Sequence, residues 1–153
     1  MPVEIVEMRA SQLLEAVDVW VRSRWDAEPW LEDRMGYSDE QNVSFFRDVI
    51  CERNQVWVAL DEERVVGVIA FDGDEVDQLH IAPGRQREGI GTALLEKAKG
   101  QSSGRLHLYT HQRNERARRF YEKSGFIAVK FGVSPEPERE PDVHYEWRAS
   151  APR

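Results

Sequence analysis

The sequence contains little cysteine and little histidine. Of its 153 residues, one is a cysteine, Cys51, and four are histidines. A single cysteine cannot form an internal disulfide, and the sequence contains no HExxH motif. These shortages argue against a disulfide-bonded scaffold and against a zinc site, so we expect no metal centre.

Long apolar runs are also missing. Apolar residues make up 41% of the chain, but no run approaches the roughly 18 residues of a membrane-spanning helix. The opening stretch, MPVEIVEMRA, lacks the basic start and apolar core of a secretory signal. We therefore expect a cytoplasmic protein without a membrane partner, and the length predicts a single domain over residues 1–153.

Net positive charge occurs in one segment. The chain carries a net charge of −7, yet residues 84–123 have a net charge of +6 and the remainder −13. A basic segment inside an acidic protein is typical of a local site for an anionic ligand. Nucleic acid usually requires a basic surface across the whole domain, so we expect no nucleic-acid partner.

The apolar pattern predicts an alternation of strands and helices. A strand and a helix open the chain, residues 26–40 suit a loop or short helical turns, and a second helix follows. The remaining predicted elements are a hairpin at 56–60 and 65–71, strands at about 76–82 and 106–110, helices at about 92–100 and 115–124, and two final strands, the last at about 142–148. The order βααβββαβαββ predicts an α/β (α+β) sandwich with a mixed, mostly antiparallel sheet flanked by helices.

A glycine-spaced loop, GRQREGIGTALLEKA at residues 84–98, leads from a predicted strand into a predicted helix. Backbone amides at a helix N-terminus have no partner within the helix and carry partial positive charge, so such a loop can hold a phosphate. Ile90 and Gly91 stand where a P-loop requires Lys and Ser or Thr. The third glycine of the dinucleotide fingerprint is absent too, so an ATPase, a kinase and a Rossmann domain are all disfavoured.

Two blocks of the sequence resemble one enzyme family. Gln86, Gly89 and Gly91 fit the order Gln or Arg, two residues, Gly, one residue, Gly or Ala, and NERARRFYEKSGF follows at residues 114–126. Together they resemble the GNAT superfamily of acyl-CoA-dependent N-acetyltransferases. The resemblance is strongest over residues 56–131, the predicted acyl-CoA-binding core, and the closing EPDVHYEW is similar to the final strand of one bacterial branch.

The resemblance implies acetyl-CoA as acyl donor and assigns residues to its site. In the family, the loop holds the pyrophosphate of coenzyme A, the preceding strand pairs with the pantetheine arm, and the matching Asn contacts the cofactor. Carried over to this chain, the cofactor-binding residues are Leu79, His80, Ile81, Gln86, Arg87, Glu88, Gly89, Ile90, Gly91, Thr92, Asn114 and Tyr121. Asn114 also suits the simpler role of a helix N-cap.

The resemblance also implies a catalytic acid, Tyr121, because the matching tyrosine of the family lies near the thioester sulfur. A phenol with a pKa of about 10 can protonate a forming thiolate, although core packing is an alternative role for such a tyrosine. Many relatives carry an acidic residue at the position of Glu75, which is our first choice for the catalytic base. Asp77, His80 and His111 stay as alternatives.

Acidic and aromatic residues crowd residues 20–55, the segment that in relatives forms one wall of the acceptor cleft. Carboxylates beside aromatic faces suit a cationic amine, and the same composition also suits a solvated acidic loop. We expect the acceptor to be the amine of a small molecule or of a protein, acetylated by direct transfer.

Two other expectations follow from the same residues. An acyl-CoA-binding sensor would keep the loop and lack catalysis, but Tyr121 and Asn114 beside an intact loop favour the enzyme. Exposed strand edges in such a sheet can pair between subunits, so the fold is compatible with a homodimer.

Overall fold

A computed structural model describes residues 3–150, in which seven strands form one sheet. The strands are β1 Glu4–Glu7, β2 Gln55–Asp61, β3 Arg64–Asp72, β4 Glu75–Ile81, β5 Arg105–His111, β6 Ile127–Val133 and β7 Pro141–Arg148. They are arranged in the order β1-β2-β3-β4-β5-β7-β6, and every neighbouring pair is antiparallel except β4 and β5. The predicted mixed, mostly antiparallel sheet is confirmed.

Helices cover both faces of this sheet. They are α1 Leu13–Ala27, α2 Pro29–Met35, α3 Asp39–Phe45, α4 Cys51–Arg53, α5 Ile90–Gln101 and α6 Glu115–Lys123, with a 3-10 turn before α1 and a π-helical turn between α3 and α4. The short α2 begins with Pro29 in its first turn and ends at Gly36, whose φ of 62° suits a helix C-terminus. Within residues 3–150, no helix combines the length and the apolarity needed to cross a membrane.

Two apolar cores hold the layers together, one on each face of the sheet. On one face, α5 and α6 pack onto the strands through a cluster that includes Phe71, Leu94 and Tyr145. On the other face, α1 and the turn after α3 contribute Trp20 and Phe46. The sheet is therefore buried on both sides along its centre, as its β-branched central strands require.

The parallel pair β4–β5 is joined at one point only. Glu75 pairs with His107, and no further pairing joins the two strands within the described residues. Beyond that point a bulge interrupts β4, because Phe71 pairs with Val76 whereas the preceding Ala70 pairs with Gln78. The strands consequently separate toward their C-terminal ends and leave a wedge open in the middle of the sheet.

The bulge also decides which way the side chains of β4 face. Leu79 and Ile81 pack against the core beneath α5, together with Val76. Gln78 and His80 face α1 instead, where they form hydrogen bonds with side chains of that helix. A regular strand would have put Val76 on the same face as Gln78 and His80, so the extra residue reverses this relation.

Candidate functional site

The wedge between β4 and β5 opens into a cleft of about 1550 Å³. Its walls come from both strands, the loop before α5, helices α1 and α6, and the connection between β6 and β7. All the site residues predicted from the sequence line this cleft except two, Glu75 and Glu88. The structure thus brings together residues that are up to 42 positions apart, from Leu79 to Tyr121.

The loop before α5 is shaped for close approach of a ligand. Gly89 has a φ of 83°, a left-handed conformation that favours glycine, and a side chain at this position would point into open space. The N–H groups of the first helical turn, at Ile90, Gly91 and Thr92, have no intrahelical acceptor. Gln86 braces the loop by accepting a hydrogen bond from the Gly84 N–H at 3.1 Å. This geometry would suit an anion placed at the helix N-terminus.

Gly91 serves a different purpose from Gly89. A Cβ atom at Gly91 would lie 3.1 Å from the ring of Phe120, so glycine lets α5 approach α6 closely. The same approach draws the first turn of α5 toward the helix that carries Tyr121. Spacing alone had assigned both glycines to the phosphate loop, whereas the structure also gives Gly91 a packing role between helices.

The basic residues of the loop differ in how far they are already paired. Arg85 donates to Asp61 at 2.9 Å and to Glu88 at 3.1 Å, and these hydrogen bonds raise the pKa of its guanidinium. Arg87 and Lys123 also line the cleft and have no ion-pair partner among residues 3–150. Positive charge at this end of the cleft is therefore carried mainly by residues other than Arg85.

Asn114 caps α6. Its Oδ1 atom accepts a hydrogen bond from the N–H of Ala117 at 3.2 Å, which confirms the predicted N-cap. The residue also lines the cleft, so the cap does not remove it from the site. Its predicted contact with the cofactor stays a prediction.

Tyr121 is at once a core residue and a cleft residue. Its side chain is 7% exposed, and its ring packs against those of Phe120, Phe126 and Tyr145 at centroid distances of 5.3–6.2 Å. Its hydroxyl has no hydrogen-bond partner within the described part of the chain, although the residue lines the cleft. Burial raises the pKa of the Tyr121 phenol, so the group stays protonated at neutral pH.

His80 belongs to a network that fixes it as a neutral side chain. Trp20 Nε1 donates to Gln78 Oε1 at 3.1 Å, and His80 Nε2 lies 3.0 Å from the same oxygen. His80 Nε2 must therefore carry the proton, and Nδ1 accepts from the Ser23 hydroxyl at 3.1 Å. Burial, with a smaller contribution from the charge of Arg24, lowers the pKa of His80 to about 3. Such a group does not take up a proton at neutral pH.

This network predicts a specific loss of stability in acid. Because the pKa of His80 falls from 6.5 to about 3 on folding, the unfolded chain binds more protons below pH 6.5, and stability falls as the pH drops from about 6.5 toward 3. Urea unfolding at pH 7 and pH 4.5 should show that His80→Gln removes roughly 2–3 kcal/mol of this pH-dependent loss. The matched variant His144→Gln should keep it, and equal losses in wild type and His80→Gln would contradict the network.

The other candidate bases lie in different surroundings. Glu75 sits where β4 and β5 join, outside the cleft lining, with its carboxylate 3.9 Å from His107. Asp77 is on the bulge, lines the cleft, and accepts a hydrogen bond from Asn54 at 2.9 Å. His111, at the end of β5, lines the cleft and is hydrogen-bonded through Nδ1 to Glu28. The structure therefore separates Glu75 from the other candidates.

The acidic wall of the cleft comes largely from a segment that the sequence analysis did not single out for this role. Of the acidic residues at 26–40, only Glu28 lines the cleft. Glu32, by contrast, forms an ion pair with Arg24. Besides Asp77 on β4, the other acidic residues of the lining come from the connection between β6 and β7, through Glu136, Glu138 and the adjoining Asp142. The proline and charge of its sequence, SPEPEREP, predict irregular structure, and nothing local indicates where the connection folds.

Arg34 fastens the connection to α2. Its Nη2 atom donates to the backbone oxygen of Glu138 at 2.6 Å and lies 3.4 Å from Glu140. Two segments about a hundred residues apart are thereby held together across the end of the cleft.

Among residues 3–150, no group of three His, Cys, Asp or Glu side chains is arranged to hold a metal ion.

A comparison with family models agrees with this architecture. The model described as "Acetyltransferase (GNAT) domain" matches residues 52–128, which is half of the chain and includes β4, the loop, α5 and α6. The chain belongs to the GNAT family. It is an acyl-CoA-dependent N-acetyltransferase, as the resemblance in its two sequence blocks implied.

Individual GNAT proteins extend the similarity over the full fold. The peptidyl-lysine N-acetyltransferase YiaC of Escherichia coli is 26% identical over 126 residues, which is 82% of this chain and 84% of YiaC. The solution structure of apo-form YjaB from Escherichia coli superposes with a TM-score of 0.76 at 25% identity, covering 98% of this chain and all of YjaB. The PaiA N-acetyltransferase of Thermoplasma acidophilum, solved in complex with coenzyme A, has the same fold, with a TM-score of 0.67 at 22% identity over 97% and 99% of the two chains.

Proposed function

We propose that this GNAT protein transfers an acetyl group from acetyl-CoA directly to a primary amine, with Tyr121 as the general acid. One observation carries the proposal: the first turn of α5, with its free backbone amides, and Tyr121 line the same cleft between β4 and β5. A ligand that is anionic at one end and reactive at the other can therefore reach both.

The residues present suit coenzyme A. The amides of Ile90, Gly91 and Thr92 would bind its pyrophosphate, aided by the positive charge of Arg87. The edge of β4 that faces β5 is not paired beyond Glu75 within the described residues, so Leu79–Ile81 would pair with the pantetheine arm. The fold shared with the PaiA enzyme, which was solved with coenzyme A bound, supports this assignment.

Acetyl-CoA supplies a thioester whose carbon accepts a nucleophile. The lone pair of the acceptor amine forms the new C–N bond, the C–S bond breaks, and its electron pair leaves with sulfur. Tyr121 then donates its phenolic proton to the thiolate and regains one from solvent. The raised pKa of the buried phenol keeps it protonated at neutral pH, as a proton donor must be, and also makes it a weaker acid than an exposed phenol.

The acceptor would occupy the acidic end of the cleft. Glu28, Glu138 and Asp142 line this end and favour a cationic amine, and Tyr37 adds an aromatic face. The name of YiaC, a peptidyl-lysine N-acetyltransferase, supports a protein lysine among the candidate acceptors, beside small-molecule amines.

The test of the proposed function is a calorimetric titration with acetyl-CoA and, separately, with ATP, followed by thiol-release assays across a panel of primary amines. We expect saturable binding of acetyl-CoA, weaker or no binding of ATP, and amine-dependent release of CoA thiol. Absence of acetyl-CoA binding would contradict the loop assignment. Binding without thiol release for every amine would favour an acyl-CoA sensor.

A further inference from the structure

We propose that His111 is the catalytic base of the acetyl transfer and that Glu28 orients it and maintains its basicity. The inference rests on the proposed function and names the group that takes the proton from the acceptor amine. It follows from a contact between the end of β5 and the junction of α1 and α2, two positions that are 83 residues apart.

The position of His111 suits this role. It is the last residue of β5, the strand that diverges from β4, and it lines the cleft on the side where the acidic residues gather. Its side chain is 17% exposed, so it is shielded but reachable. Tyr121 lines the same cleft, so the two groups serve the amine end and the thiol end of one reaction path.

The hydrogen bond to Glu28 fixes which nitrogen can act. Nδ1 of His111 is bound to Oε2 of Glu28, a carboxylate that only accepts, so Nδ1 carries a proton. Nε2 has no hydrogen-bond partner among residues 3–150 and is left as the acceptor in the neutral ring. A carboxylate that holds an imidazole in one tautomer is the arrangement of a general base with its orienting partner.

Carboxylates face His111 from three directions. Glu28 lies at the α1–α2 junction, Asp142 is its cross-strand neighbour on β7, and Glu138 and Glu140 come from the β6–β7 connection. Arg34 and Arg113 lie near Glu140 and offset part of that charge. Burial alone would lower the pKa of His111, but the hydrogen bond and charge of Glu28, with the charges of Glu138 and Glu140, outweigh it and raise the pKa.

These charges also explain why an ammonium group would come to the base. The carboxylates attract the protonated amine, and a base whose pKa lies near the working pH exchanges a proton with it most effectively. Nε2 takes one proton from the ammonium, which frees the lone pair for attack on the thioester carbon. A second proton passes from the nitrogen to solvent as the amide forms. It balances the proton that Tyr121 gives to sulfur and regains from solvent, and His111 later releases its own proton to solvent.

The remaining candidates are less suited to the role. His80 is neutral and both of its ring nitrogens are occupied by Ser23 and Gln78. Glu75 lies outside the cleft lining. Asp77 lines the cleft, but its carboxylate is bound to Asn54.

The first test needs no acceptor. In the full-length protein, NMR titration of the His111 imidazole should give a pKa above the ordinary value, and the pKa should fall in Glu28→Gln because the carboxylate is gone. The ring resonances of His107 at neutral pH should keep their wild-type positions in Glu28→Gln, since this residue lies on β5 outside the cleft lining. A His111 pKa that does not respond to Glu28→Gln would overturn the orienting role of Glu28.

The second test uses the amine that gives the fastest thiol release in the panel. His111→Gln should lower kcat/KM at pH 7 by roughly 10²- to 10⁴-fold, and the loss should shrink as the pH rises and the free amine accumulates. Glu28→Gln should shift the acidic limb of the kcat/KM profile to lower pH. The control His107→Gln should keep the wild-type profile, and all three variants should bind acetyl-CoA as wild type does.

The outcomes separate this inference from the proposed function. If His111→Gln turned over at the wild-type rate and with the wild-type pH profile, the inference would be overturned and the proposed acetyl transfer would stand. Failure of the wild type to bind acetyl-CoA, or to release thiol with any amine, would overturn the proposed function itself. The NMR titration stays informative even if the wild type fails these assays. A His111 pKa that is the same in wild type and in Glu28→Gln would contradict the pairing of His111 with Glu28.

Discussion

Replacing Tyr121 by phenylalanine is expected to lower kcat by roughly 10²- to 10⁴-fold, the usual contribution of a general acid. The affinity for acetyl-CoA should stay close to that of wild type, because the ring and its packing against Phe120, Phe126 and Tyr145 are retained. Single-turnover measurement of thiol release, with calorimetric binding of acetyl-CoA beside it, checks both parts.

Tyr145→Phe is the matched control. It removes a hydroxyl from the same core cluster, but that hydroxyl donates to Glu122 at 2.6 Å and does not line the cleft. The control should lose stability and keep its rate. If Tyr121→Phe turned over as fast as wild type, the phenol would not be the proton donor, and sulfur would have to take its proton from water.

Replacing Gly89 by tryptophan should abolish tight binding of acetyl-CoA. The position is open to the cleft, so an indole there would fill the space in front of the amides of α5. Losing two charge-assisted hydrogen bonds to a phosphate, at about 1.5–3 kcal/mol each, corresponds to a drop of roughly 10²- to 10⁴-fold in affinity. Calorimetric titration with acetyl-CoA measures this directly.

Gly73→Trp separates blocking of the site from backbone strain. Gly73 also has a positive φ, of 57°, and open space around it, yet it lies in the turn between β3 and β4 and away from the cleft lining. Both variants should lose about 1–2 kcal/mol of stability from the left-handed conformation. Only Gly89→Trp should lose the ligand, and normal binding by that variant would contradict the assignment of the loop.

Local signals explain why the loop before α5, the Asn114 cap and the position of Tyr121 could be predicted from the sequence. The glycine spacing of the loop, the Asn114 cap and the position of Tyr121 within α6 all depend on neighbours within a few residues. The order of strands and helices likewise followed from apolar periodicity. These features need no knowledge of the tertiary fold, and the structure places them as the pattern indicated.

The acceptor end could not be predicted in the same way, because long-range contacts form it. The bulge in β4 changes which side chains share a face of the sheet. The aspartate at position 77 is not a residue type that predicts a bulge. The bond between His111 and Glu28 joins positions 83 residues apart, and Arg34 bonds to the β6–β7 connection from more than a hundred residues away. A single sequence contains no record of such pairings.

The carboxylates at the acceptor end have a consequence for the product of the proposed reaction. Acetylation converts an ammonium into a neutral amide, so Glu28, Glu138 and Asp142 would attract the substrate and have no net charge to attract in the product. The same wall that concentrates the amine thus lets its acetylated form leave. Turnover would then resist inhibition by its own amide product, and added salt would weaken amine binding far more than amide binding.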